Sequence, residues 1–155
     1  MVKNIKKSIL DEVKKYWEYT NEEDLEGITV SINGKYTIVN LVTASGQGGV
    51  VAILDDQEKL VHISNAEYGI VSTLYDGNVY TLCGIIHWGH PLSYAMTKTP
   101  FGTMNAWKET DEVEGFKLDD DGVYESFQKG EDIKLEVKAD MFVISYGDKE
   151  VEINR

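Results

Sequence analysis

A single domain of 155 residues buries roughly 70% of the surface its unfolded chain exposes, so this chain needs no metal or disulfide to fold. Fifteen basic residues face 27 acidic ones, a net charge of −12, and Arg155 is the only arginine; this excludes the arginine forks and basic patches that grip nucleic acid or anionic membranes. One cysteine, Cys83, excludes an internal disulfide, and no apolar stretch is long enough for a secretory signal or a membrane span, so a cytoplasmic location is expected.

The first element predicted is a helix over 3–19, where Ile5, Ile9, Val13 and Trp17 recur every four residues and lysines occupy the opposite side. That stripe should pack on a sheet. Residues 21–27, rich in Asn, Glu and Asp, read as a solvated connection. From Ile28 the period becomes that of strands, and hairpins fill 28–86. Asn33-Gly34, Asp76-Gly77, Asp121-Gly122 and Gly147-Asp148 punctuate them, pairs that adopt the positive φ of tight hairpin turns at least cost. Ser45-Gly46-Gln47-Gly48-Gly49 is a hairpin loop, because the strand-forming Val50–Leu54 follows where a phosphate cradle needs a helix.

Strand periodicity stops near His87 and returns near Glu114, so 87–113 is expected to be a long aromatic loop. Within it, His87-Trp88-Gly89-His90 resembles the His-x-Gly-His signature of class I aminoacyl-tRNA synthetases and related nucleotidyltransferases. That resemblance implies a parallel nucleotide-binding fold, with the motif opening a helix after the first strand and its histidines on phosphates. Hairpins precede the motif here, no βαβ alternation follows, and no basic second motif appears, so the resemblance carries neither fold nor activity over. Cys83, His87 and His90, with His62 or a carboxylate, are the candidate metal ligands, at spacings that match no standard zinc finger. No Ser-His-Asp order or nucleophile elbow frames the nearby hydroxyls, and no cofactor motif is present.

The last third, 114–155, is expected to form acidic hairpins, with Asp119-Asp120-Asp121 at one tip. The fold class that results is α+β: an N-terminal helix packed on a mainly antiparallel β meander of about nine or ten short strands, closed as a sandwich, a barrel or a strongly bent sheet.

Without a catalytic framework, the chain is expected to act by binding rather than by chemistry. Acidic fields speed encounter with cationic surfaces, and aromatic side chains dominate interface hot spots. The candidate anchors are therefore Trp88, Tyr94, Phe101 and Trp107, and the candidate steering acids are Asp111, Glu112, Glu114, Asp119, Asp120 and Asp121. The partner they imply is a basic protein, in the most specific version a cationic nuclease-like toxin that the chain neutralises as an immunity protein or antitoxin. Two other classes fit the same residues. One is a small-molecule-binding or hydrolytic β-domain using His87 or His90 in a pocket closed by 87–107; the other is a phage or secretion assembly subunit that joins through sheet edges.

Overall fold

The Ile9–Val13–Trp17 stripe folds as helix α1 (Lys7–Lys14) and the turn after it, in which the Trp17 N–H donates to the Val13 carbonyl at 3.1 Å. A computed structural model of the chain describes residues 6–18, 25–43, 48–85, 93–108, 111–116 and 122–155. The helix is shorter than the 3–19 expected, and Ile5 lies outside the described residues. Ile9, Val13 and Trp17 are buried, as the four-residue spacing requires.

Twelve strands and a second helix follow among the described residues. They are β1 (Leu25–Asn33), β2 (Tyr36–Thr43), β3 (Gly49–Leu54), β4 (Leu60–Asn65), β5 (Gly69–Tyr75), β6 (Asn78–Ile85), β7 (Ser93–Pro100), β8 (Met104–Asn105), β9 (Asp111–Phe116), α2 (Gly122–Lys129), β10 (Ile133–Val137), β11 (Met141–Tyr146) and β12 (Lys149–Asn154). They form three sheets, ordered β1-β2-β3-β4-β8, β5-β6-β7-β9 and β10-β11-β12. Neighbours are antiparallel except β4 and β8, which run parallel through Ile63 and Ser64. The fold is α+β and mainly antiparallel, and none of its described helices is long and apolar enough to cross a membrane.

Three of the four turn signals form hairpins. Asp76 and Gly77 both have positive φ, 48° and 76°, the type I′ pattern. In the other two, only the first loop residue is left-handed, Gly34 at 60° and Gly147 at 54°, the type II′ pattern. The first loop is therefore Gly34-Lys35, with Asn33 paired to Tyr36, one residue later than the sequence suggests.

The layers follow from which faces are buried. One face of the five-stranded sheet, carrying Ile28, Val39, Leu41, Ala52 and Ile63, packs on α1. Its reverse, carrying Ile38, Val51 and Ile53, packs on Val79 of the four-stranded sheet. The other face of that sheet, with Tyr80, Leu82 and Met96, meets Ile133, Leu135, Phe142 and Ile144 of the three-stranded sheet and Val123 of α2. Burial on both faces explains why β3 reads Gly-Val-Val-Ala-Ile-Leu without alternation, whereas β10 alternates buried and exposed. Arg155 ties the last two layers together. Its guanidinium lies 5.3–5.5 Å from the ring centres of Tyr75, Tyr80 and Phe142 and donates to the Tyr80 hydroxyl at 3.1 Å and the Lys138 carbonyl at 2.7 Å.

Two sequence expectations are overturned. The stretch expected to be a long loop contains β7, β8 and β9, with β7 paired to β6 through eight residues from Asn78↔Pro100 to Ile85↔Ser93. Its run Ser-Tyr-Ala-Met-Thr-Lys-Thr-Pro alternates too weakly in polarity to announce a strand, because Tyr94, Ala95 and Met96 are all buried between layers.

The second correction concerns Val123–Phe127, expected to be the return strand of a hairpin across Asp121-Gly122. It is helical. Val123 and Phe127 fit a helical spacing of four as well as an alternating strand, and Val123, Tyr124 and Phe127 all pack into the core. The stop signal is Gly130, left-handed at φ 72°, whose N–H donates to Phe127 O at 3.1 Å while that of Glu131 donates to Ser126 O at 2.9 Å. This is a Schellman cap. Gly130→Ala forces a side chain into that conformation and should cost about 1 kcal/mol; urea unfolding should show a lower midpoint with an unchanged slope.

Candidate functional site

The turn after β8 displays the most exposed of the described aromatic anchors. Ala106 is buried against α1, the Trp107 N–H donates to Asn105 Oδ1 at 3.0 Å, and the Lys108 N–H donates to Asn105 O at 3.2 Å. The Lys108 carbonyl in turn accepts from the Asn65 N–H of β4 at 3.3 Å. A buried alanine and these bonds hold the turn down, and its outward residue is Trp107, 56% exposed, next to Met104 at 40%. These bonds fix the backbone from which the indole projects.

The candidate acids Asp111, Glu112 and Glu114 lie just beyond this turn, on β9. That strand is the outer edge of the four-stranded sheet and pairs Asp111 with Lys98, Glu112 with Thr97 and Glu114 with Met96. A bulge between Met96 and Thr97 interrupts the register. Acidic residues in an edge strand discourage it from pairing with other chains.

The remaining anchors separate. Tyr94, paired with Phe116, is 1% exposed inside the core between the four- and three-stranded sheets, so it cannot meet a partner. Phe101 is half-buried, stacked on His62 with ring centres 6.1 Å apart and edge-on to Tyr36 at 5.4 Å. Its contacts are those of a turn packed onto a sheet. Trp88, Asp119, Asp120, Asp121, His87 and His90 lie outside the described residues.

Cys83 is buried on β6, with Thr97 Oγ1 4.0 Å from its Sγ. Among the described residues no group of three or more His, Cys, Asp or Glu side chains could hold a metal ion. His62 is already committed. Its Nδ1 accepts from the Gly102 N–H at 3.1 Å, so Nε2 carries the proton and donates to Ser64 Oγ at 2.9 Å. The ring thereby pins the Phe101–Gly102 turn, and through it β8 and Trp107, to β4.

Sequence reasoning missed one feature. A cleft of about 960 Å³ opens where β1, β5 and β10 approach the start of α1. Among the described residues of 87–107, the segment that the small-molecule reading expects to close a pocket, none lines it. Ile32, the most exposed of the described large apolar side chains at 78%, stands at its rim. The signal lay in Ile28-Thr29-Val30-Ser31-Ile32, an uncharged run within an edge strand.

No protein-family model matches this chain, and no curated protein is significantly similar to it in sequence.

Burial pushes the His62 imidazole down to about 4 from its ordinary 6.5. Between those values the unfolded chain holds a proton that the folded one refuses. The His62 contribution to stability is therefore complete above about pH 6.5 and is lost as the pH drops toward 4, by at most about 1.4 kcal/mol per unit. Urea midpoints of wild type and His62→Gln at pH 7.5 and pH 5 isolate this contribution from that of the carboxylates. The variant should be less stable at pH 7.5 and lose less on acidification; equal losses would contradict the account.

Proposed function

We propose that this chain is a binding protein for a basic protein partner, engaged by Trp107 and the neighbouring acidic edge strand β9. The observation that carries this reading is the 56% exposure of Trp107 on a turn that hydrogen bonds hold in place. Tryptophan is among the side chains most enriched in interface hot spots, and one 56% exposed offers a partner a large apolar area to bury. The −12 charge supplies the complement, a long-range attraction for cationic surfaces. In the most specific version, the chain is a cytoplasmic immunity protein or antitoxin covering the substrate-binding face of a cationic nuclease-like toxin. An acidic neutraliser presents there the charge that a nucleic-acid backbone would present.

The two parts of the surface have separable kinetic roles. Edge charges raise the association rate and lose their effect as salt screens them; a buried aromatic slows dissociation. The test is capture from source lysate at low salt, followed by rebinding with the purified partner. Trp107→Ala should raise the dissociation rate about tenfold or more with little change in association. Asp111→Asn with Glu112→Gln and Glu114→Gln should slow association at low salt and leave dissociation and melting unchanged. Wild-type kinetics in both variants would refute the surface.

A further inference from the structure

The edges of the three sheets are not equally protected. β8 is two residues long, β9 carries Asp111, Glu112 and Glu114, β10 alternates Lys134 and Glu136 with its buried residues, and β12 carries Lys149, Glu150 and Glu152. Shortness and charge are the ordinary means of preventing an edge from recruiting a foreign strand. β1 has neither. From Ile28 to Asn33 it holds no charge and no proline, its bulge lies at the other end between Leu25 and Gly27, and among the described residues it is paired on one side only, with β2. Its inner half is covered, with Ile28 and Thr29 buried, whereas Val30 to Asn33 border the cleft and Ile32 is 78% exposed.

We propose that the edge of β1 at Val30–Asn33 is a docking site for an extended, lysine- or arginine-bearing segment of a partner protein, which adds to the five-stranded sheet as a further strand. This surface is separate from Trp107, which does not line the cleft. The cleft gives the added strand room along an edge whose outward N–H and C=O groups supply register and affinity.

The two sides of the cleft select the incoming side chains. On the α1 side, Ile9, Val30 and Ile32 form an apolar wall. On the other side stands β10, with Glu136 and Lys134, and Asp132 just before it. Alternate residues of an added strand point to opposite faces, so a segment alternating apolar and basic residues meets both walls correctly.

Charge decides between the possible occupants. Glu58 at the mouth is hydrogen-bonded to Lys6 at 3.1 Å and to the Ser8 hydroxyl at 3.3 Å, which holds its carboxyl below the usual range. The charged groups around the cleft are then Lys6, Lys134, Glu58, Asp132 and Glu136, acidic in balance. A second copy would bring another −12 and be repelled, whereas a basic segment is attracted.

The test is a titration of isotope-labelled protein with an octapeptide alternating lysine and valine, followed by amide resonances. Saturable shifts and slowed exchange should centre on Val30–Asn33. Ile32→Lys should weaken binding at least tenfold. Ile32→Thr, which keeps a neutral β-branched edge, should weaken it several-fold, and Trp107→Ala should leave it unchanged, so this proposal and the Trp107 surface fail separately. The proposal is overturned by the absence of saturable shifts, by shifts centred on Trp107, or by equal binding of a glutamate–valine peptide. A dimer in sedimentation that Ile32→Lys dissolves would also overturn it, assigning the edge to a second copy.

Discussion

Burial on both faces of the two larger sheets is the constraint from which the rest of this structure follows. The five-stranded sheet is covered by α1 on one side and by the four-stranded sheet on the other, which is covered in turn by β10–β12 and α2. Removing that apolar surface from water supplies the main driving force for folding. It also consumes the faces. Most polar side chains trapped between the layers find partners there, as His62 does with Ser64 and Gly102 and as Ser72 does with Thr81 at 2.7 Å, whereas the buried Asn40 Nδ2 does not. With faces occupied, recognition is left to strand edges and to the turns beside them.

Those margins serve opposite purposes. Along β9, β10 and β12 the strand sequences keep charges at the edge, which discourages pairing. The β8 edge is too short to recruit a strand, and its following turn instead displays Trp107. At β1 the edge from Ile28 to Asn33 is uncharged, and its end opens on a cleft. A single chain thus combines an exposed aromatic on a hydrogen-bonded turn with an uncharged stretch of strand edge, and the two proposed surfaces rest on these separately. His62 links core to margin, because the bond that satisfies its buried Nδ1 fixes the turn leading to β8.

Much of this was legible in the sequence. The four-residue apolar spacing identified α1, and the Gly-containing pairs at 34, 77 and 147 located three hairpins. Where reading failed, two physical signals competed. Val123 and Phe127 satisfy strand and helix periods alike, and the Asp121-Gly122 turn signal outweighed the Gly130 cap. Around Tyr94, burial of consecutive residues erased the alternation that marks a half-exposed strand. The same burial removes Tyr94 from any binding surface, while Trp107 keeps the exposure that the proposed surface requires. The cleft was invisible because β1, β5 and β10 are far apart in sequence, and only their packing brings the edges together.

The central claim is that the neutral edge of β1 is open while the layers behind it are closed. Amide hydrogen exchange of the free protein, resolved residue by residue, tests it most directly. Amides of β2 and β3 should exchange only through global unfolding, and those of Val30–Asn33 should alternate between protected and fast, as one-sided pairing requires. Uniform protection from Val30 to Asn33 would mean that the edge is already covered, and would contradict the account.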